Sequence, residues 1–236
     1  MAYDYRPFPY VPPPGLTRPE PRHRVAIVGA GPVGLALAID LAQYGVPSVV
    51  LDDNNVVSVG SRAICWSKRS LEILDRLGVG QKCVEKGVIW KVGRTLHREE
   101  EIWSFDLQPD PGHKMPAFVN LQQYYVEDYL VARALEFPDL IDLRWKNKVT
   151  GVTQSDHVRL TAETPDGSYS LAADYVVACD GARSPVRSRH RNAGRLSVRA
   201  PLLVSAQFPL RTIGAFAQTA RPHLPHRPAT GLGRRP

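Results

Sequence analysis

Three glycines with the spacing G-x-G-x-x-G, namely Gly29, Gly31 and Gly34, lie between two apolar segments. The run over 25–28 is short and apolar, which predicts a buried strand. The segment over 35–44 carries almost no charge and predicts a buried helix. A glycine-rich connection between a strand and a helix is typical of few folds. It leaves free backbone N–H groups at the helix start, where an anionic group can bind.

A second apolar run over 49–51 ends in Asp52, which follows Gly34 by 18 residues. This order of strand, glycine loop, helix, strand and acid predicts a dinucleotide-binding βαβ unit. Gly29 would allow a tight turn, Gly31 a close approach of pyrophosphate, and Gly34 close packing of the helix on the strands. Asp52 would accept hydrogen bonds from ribose hydroxyls and disfavour a 2′-phosphate. The motif does not distinguish FAD from NAD, and a tight turn that binds nothing is the alternative.

A second motif lies downstream, where an apolar strand over 174–178 leads into D-G-x-x-S-x-x-R. Taken alone, it could be a strand followed by an ordinary Asp-Gly turn. Together with the glycine motif, it resembles the class A flavoprotein monooxygenases, the aromatic-ring hydroxylases that include para-hydroxybenzoate hydroxylase. In that family the segment serves both FAD and the transient NAD(P)H, which implies these roles for Asp180, Gly181 and Arg187.

Two further segments extend the resemblance. Arg62 stands in a Gly-Ser-Arg-Ala sequence similar to the flavin-contacting Arg-Ala of the family, and Gln123 opens a Q-x-x-x-E-x-x-L segment whose glutamine contacts FAD there. The resemblance runs over about 24–189 and is strongest with the hydroxyphenylpropionate and resorcinol hydroxylase branch. The predicted cofactor-binding residues are Gly29, Gly31, Pro32, Gly34, Asp52, Arg62, Gln123, Asp180, Gly181 and Arg187.

The predicted fold class is α/β, a Rossmann-like FAD-binding βαβ fold with part of a β-sheet substrate domain. Residues 1–23, which contain seven prolines, predict a disordered or polyproline leader. Residues 24–189 form the predicted FAD-binding domain, with the partial substrate sheet inserted at about 87–119. Other predicted elements are helices over 67–78 and 122–135, and strands over 88–92, 102–105, 141–145, 148–153, 158–164 and 169–172.

The end of the chain differs from the rest in composition. Residues 181–236 contain eleven Arg and three His but no Lys, Asp or Glu, whereas folded surfaces mix both signs of charge. We expect 190–236 to be a basic tail, disordered or translated out of frame, on a truncated chain. The family's third flavin motif begins with Gly-Asp, a dipeptide that this sequence lacks. The alternative is a genuine basic tail that binds nucleic acid or an anionic surface.

The resemblance implies hydroxylation of a small aromatic substrate, usually a phenol, with FAD as cofactor, NADH or NADPH as reductant and O2 as co-substrate. The resemblance nominates no catalytic side chain, because the flavin carries the chemistry. No metal site is expected, since the cysteines lack the spacing of metal ligands. Two alternatives remain: a nucleotide-binding module without turnover, and an NAD-dependent dehydrogenase or reductase. We expect no nucleic-acid partner and no membrane segment, since no apolar run is long enough. Three scattered cysteines without a disulfide framework suit the cytoplasm.

Overall fold

The structure, a computed structural model, describes residues 3–60, 63–107, 112–181, 184, 186 and 203–205. They belong to one compact unit, Met1–Ala206. Its helices are α1 (Pro32–Gln43), α2 (Lys68–Arg76), α3 (Gly80–Lys86) and α4 (Gln123–Ala134). Its strands are β1 (His23–Val28), β2 (Ser48–Leu51), β3 (Cys65–Ser67), β4 (Val88–Ile89), β5 (Val92–His97), β6 (Glu100–Asp106), β7 (Phe118–Asn120), β8 (Ile141–Arg144), β9 (Lys148–Gln154), β10 (Val158–Thr164), β11 (Gly167–Ala178) and β12 (Leu203–Ser205).

A central sheet has the strand order β8-β2-β1-β11-β10-β9, and β12 pairs with the end of β11. Strands β8, β2, β1 and the second half of β11 run parallel, whereas β9, β10 and the first half of β11 form an antiparallel meander. Apolar runs occupy β1, β2 and the second half of β11 because layers cover both faces of these parallel strands. Their carboxyl ends therefore meet at one edge of the sheet, where ligands bind in open α/β folds.

Each face of the parallel strands contributes to its own apolar core. Ile27, Val50 and Leu35 belong to the core that α1, α2 and α4 cover. Ala26 and Val49 point to the opposite face and pack against apolar side chains of the meander. Successive residues of one strand thus serve different cores, as the alternation of side chains along a strand requires. The α/β class and the βαβ unit predicted from the sequence are confirmed.

Two smaller sheets lie outside the central sheet. One has the order β3-β7-β4, and the other is the hairpin of β5 and β6. Most side chains of the hairpin are exposed, including Leu96, Ile102 and Trp103. Strands β4 to β7 coincide with the region at about 87–119 that we expected to hold the partial substrate sheet.

Most predicted elements occur within a few residues of their expected bounds. Helices α1, α2 and α4 and strands β1, β2, β8, β9 and β10 are of this kind. The two strands expected over 169–172 and 174–178 are one continuous strand, β11, because its first half pairs with β10 and its second half with β1. Helix α3 and strands β3 and β7 were not predicted, since they are too short to show a period. The strand predicted over 88–92 is divided between β4 and the start of β5.

The structure corrects the prediction of a disordered leader. Residues 3–23 pack on the domain and include a single 3-10 turn, Pro14–Leu16. The ring of Phe8 stacks on Trp145 with 4.6 Å between centroids. A proline-rich extended segment shows no helical or strand period, so its isolated anchoring side chains give no signal in the sequence.

The predicted tail over 190–236 lies largely outside the described residues. Its described part is β12, whose backbone pairs in parallel with Val176, Val177 and Ala178 of β11. The expected disorder or change of reading frame stays a prediction.

Candidate functional site

A cleft of about 500 Å³ opens where β1, β2 and β11 end. Backbone hydrogen bonds hold these ends together: the N–H of Gly29 donates to the carbonyl of Leu51, and the N–H of Cys179 donates to the carbonyl of Val28, both at 2.7 Å. Seven predicted cofactor-binding residues line the cleft, namely Gly29, Gly31, Pro32, Asp52, Gln123, Asp180 and Gly181. Arg62 and Arg187 lie outside the described residues.

Two of the three motif glycines are required by the protein itself. Gly29 has φ +105°, a left-handed conformation that other residues rarely adopt, and a Cβ there would lie 2.5 Å from the carbonyl oxygen of Cys179. Gly34 does not line the cleft. A Cβ on Gly34 would lie 1.9 Å from the carbonyl oxygen of Gly29, so this glycine lets α1 pack directly on the loop.

Gly31 is different, because none of the described residues requires a glycine there. It is the N-cap of α1, its φ of −74° and ψ of −177° suit any residue, and a Cβ would have no atom within 4 Å. The open space lies where the first N–H groups of α1 lack helical partners and where the helix dipole is positive. This space can therefore receive an anionic group that approaches the backbone closely.

Asp52 lies directly after β2 and organises the glycine loop. Its carboxylate accepts a hydrogen bond from the N–H of Ala30 at 2.6 Å and another from the N–H of Asn54 at 2.8 Å. Burial raises the pKa of Asp52, and these two hydrogen bonds oppose that shift. A carboxylate has about four lone-pair sites, so further acceptor capacity remains for ligand hydroxyls.

The second motif lies across the cleft. The carboxylate of Asp180 accepts a hydrogen bond from the N–H of Val186 at 3.2 Å. Gly181 has φ +76° and open space around its Cβ position, and its carbonyl accepts the N–H of Ser184. The backbone thus turns at Gly181, beside the glycine loop.

A buried carboxylate, Glu127, forms the floor of the cleft and was not among the predicted site residues. Its side chain accepts hydrogen bonds from the N–H of Ser58 at 2.5 Å, from the hydroxyl of Ser58 at 2.7 Å and from Nε2 of Gln123 at 2.6 Å. It ties α4 to the loop over 52–60. Glu127 follows Gln123 by four residues, which places both side chains on one face of α4. This spacing is the sequence signal that could have identified Glu127 as a site residue.

The charge of the cleft is mostly negative. Asp52, Asp53, Glu127 and Asp180 line it, and among its described lining residues Lys148 is the cation. Phosphates would therefore be held by backbone N–H groups and the dipole of α1 more than by side-chain cations. The open flank of Gly31, a helix start and a carboxylate at a strand end fit the pyrophosphate and ribose of a dinucleotide.

Comparison with known proteins identifies the class. The family described as "FAD binding domain" matches residues 22–196. The chain therefore belongs to the FAD-binding domain family, within the class A FAD-dependent aromatic hydroxylases, and its cofactor is FAD.

Individual relatives agree. Para-nitrophenol 4-monooxygenase of Pseudomonas sp. (strain WBC-3) is 32% identical over 171 residues, which are 70% of this chain and 41% of the relative. 3-(3-hydroxy-phenyl)propionate/3-hydroxycinnamic acid hydroxylase 2 of Burkholderia vietnamiensis is 33% identical over 168 residues, covering 70% of this chain and 31% of the relative. The crystal structure of p-nitrophenol 4-monooxygenase from Pseudomonas putida DLL-E4 superposes with a TM-score of 0.66 at 32% identity, covering 72% of this chain and 43% of that one. The chain thus spans less than half the length of these relatives.

In the part of the chain that the structure describes, no helix is both long and apolar enough to cross a membrane.

Replacing Asp52 by alanine is expected to weaken FAD binding by about 1–3 kcal/mol, because the charged acceptor for ribose and the hydrogen bond to the N–H of Ala30 are lost together. Quenching of flavin fluorescence on binding measures the dissociation constant. Asp53→Ala is the matched control, since it removes the same charge from the neighbouring exposed residue. Equal losses for the two variants would show that the effect is not specific to the side chain of Asp52 and would contradict the assigned hydrogen-bonding role.

Proposed function

We propose that the cleft binds FAD with its pyrophosphate at the loop over 29–34 and its adenosine ribose at Asp52. The observation that carries this proposal is the open flank of Gly31. This glycine, which no packing contact of the described residues requires, lies at a helix start, beside a carboxylate at the end of a parallel strand. Ligand contact gives that glycine a physical reason.

The remaining predicted residues are assigned to the same cofactor. Gln123 projects from the first turn of α4 into the cleft, and Asp180 and Gly181 border it from the end of β11. Their positions support contacts to the FAD molecule beyond its adenosine half. Arg62 and Arg187 are included on the resemblance of their motifs.

The activity that we propose for the protein is NAD(P)H-dependent hydroxylation of a small aromatic substrate with O2. The names of the relatives, a nitrophenol monooxygenase and a hydroxyphenylpropionate hydroxylase, support it. Bound FAD supplies the redox chemistry, accepting a hydride from NADH or NADPH and activating O2. The residues of this chain bind and orient FAD, and we assign no acid, base or nucleophile among them.

We further propose that the protein acts in the cytoplasm, without a nucleic-acid partner. Cys65, Cys83 and Cys179 are free thiols, and burial raises the pKa of Cys83 to about 12 and that of Cys179 to about 11. Thiols that hold their protons so firmly are inert, which suits structural positions in a reducing compartment.

Heat denaturation of the purified, yellow protein is expected to release free FAD, identified by chromatography of the supernatant. Release of FMN, or of no flavin from protein reconstituted with FAD, would contradict the cofactor assignment. Reconstituted protein is then supplied with NADH or NADPH and a panel of phenols. Oxidation of the nicotinamide with formation of a hydroxylated product supports the monooxygenase, whereas FAD binding without either one favours a nucleotide-binding module.

A further inference from the structure

The loop over 52–60, here called the cleft loop, forms one wall of the FAD cleft. Asp53, Asn54, Val57 and Ser58 are among its lining residues. The cleft loop contains no helix or strand, so no regular backbone ladder holds it. Ordering such a segment costs backbone conformational entropy, so its shape depends on contacts from elsewhere.

Residues 3–10, here called the N-terminal strap, provide such contacts. The N–H of Phe8 donates to the carbonyl of Asn55 at 2.7 Å, and Nδ2 of Asn55 donates back to the carbonyl of Phe8 at 2.9 Å. Farther along, the N–H of Gly60 donates to the hydroxyl of Tyr5 at 3.2 Å. The strap therefore holds the cleft loop at its middle and at its end.

The ring of Phe8 also packs against the wall of the cleft. It lies parallel to the indole of Trp145, with 13° between the planes, and Trp145 itself lines the cleft. The segment that carries Trp145 is bonded to the start of the cleft loop. The N–H of Asp52 donates to the carbonyl of Arg144 at 3.0 Å, and the N–H of Asn147 donates to the carbonyl of Asp52 at 2.7 Å.

A buried ion pair anchors the other end of the leader. Glu20 accepts hydrogen bonds from Nη1 and Nη2 of Arg144 at 2.9 Å and 2.6 Å, and the two side chains are 4% and 5% exposed. Hydrogen bonding to Glu20 and Asp142 raises the pKa of Arg144, against the effect of burial. The ring of Tyr3 packs on Tyr124 of α4 with 4.4 Å between centroids. The leader is therefore fixed at the start of the strap by Tyr3 and beyond the strap by Glu20.

We propose that the N-terminal strap is a positioning element for FAD: through Phe8 and Tyr5 it holds the cleft loop in the shape that receives the cofactor. This inference rests on the proposed FAD site. It assigns a role to a proline-rich leader that otherwise reads as a passive extension.

The test compares Phe8→Ala with the unchanged full chain. Loss of the stacked ring and loosening of the loop are expected to raise the dissociation constant for FAD about five- to tenfold. Without FAD, amide hydrogen exchange is expected to accelerate about tenfold at Ser58 and Gly60, whose N–H groups are bonded to Glu127 and Tyr5. Exchange at Ile27, in the centre of β1, is expected to change far less.

Three further variants separate positioning from general destabilisation. Phe8→Tyr keeps a stacking ring and is expected to restore both values. Val11→Ala alters a side chain of the same leader that is 69% exposed, and is expected to change neither. Tyr5→Phe removes only the hydroxyl, so exchange at Gly60 alone should accelerate, which tests the strap even if Phe8→Ala fails to fold.

The outcomes distinguish the two proposals. An unchanged chain that binds no FAD overturns the proposed function and, with it, this inference. If the unchanged chain binds FAD but Phe8→Ala binds it equally well, or if exchange in the cleft loop stays the same in Phe8→Ala and Tyr5→Phe, the positioning role alone is overturned.

Discussion

Gly31→Val is expected to abolish retention of FAD and to raise its dissociation constant about a hundredfold or more, while the free energy of unfolding of the apoprotein falls by at most about 1 kcal/mol. The added side chain occupies the space beside the start of α1, where the backbone N–H groups lack helical partners. A hundredfold corresponds to about 2.7 kcal/mol. The valine itself meets no strain, since φ and ψ at this position are those of an extended residue.

The measurement is a fluorescence titration with FAD, paired with urea unfolding of the apoprotein. Alanine or valine at an N-cap costs at most about 1 kcal/mol relative to glycine, so the urea midpoint should move little. FAD binding that persists unchanged would remove the basis for placing the pyrophosphate at Gly31. A large loss of stability would instead show that this glycine serves the fold.

Gly34→Ala is expected to have the opposite profile, with a loss of about 3 kcal/mol in the free energy of unfolding of the apoprotein. The new Cβ would lie 1.9 Å from the carbonyl oxygen of Gly29 and 3.3 Å from Cβ of Cys179. The first of these atoms is backbone in a loop that is itself held by Gly29 at positive φ. Relief therefore requires α1 to move away from β1, which exposes part of the core.

Gly31→Ala is the matched control for this experiment. It adds the same methyl group three residues earlier in the same loop, where no atom lies within 4 Å. Urea unfolding of both apoproteins gives the comparison without any ligand. If the two alanine variants were equally stable, the close packing of α1 on the glycine loop would be contradicted.

The glycine loop and the acid after β2 could be predicted because their signals are local. The glycine spacing, the two apolar runs and the carboxylate at a strand end are all visible within about 30 residues of sequence. They predict the positions of Gly29, Gly34 and Asp52 without any knowledge of tertiary contacts. The sequence could not say which glycine the fold needs and which one is left open. That distinction depends on the positions of Cys179 and Gly29 relative to the helix.

Other parts of the site depend on contacts between distant segments, which a single sequence does not reveal. Ser58 meets Glu127 across 69 residues, and Arg144 meets Glu20 across 124 residues. The sequence predicts a disordered leader because prolines suppress any period, although single side chains such as Phe8 contact the folded domain. Composition indicates only the conformational preference of the isolated segment. The order of the leader depends instead on its tertiary contacts with the folded domain.

The most direct test of the central claim is titration of the apoprotein with FAD, repeated in the presence of ADP and then with FMN in place of FAD. If the cleft holds the pyrophosphate at Gly31 and the ribose at Asp52, one FAD binds per chain, ADP displaces it, and FMN, which lacks the adenosine half, binds far more weakly. Failure of FAD to saturate, or binding of FMN as tight as that of FAD and unaffected by ADP, would contradict the assignment.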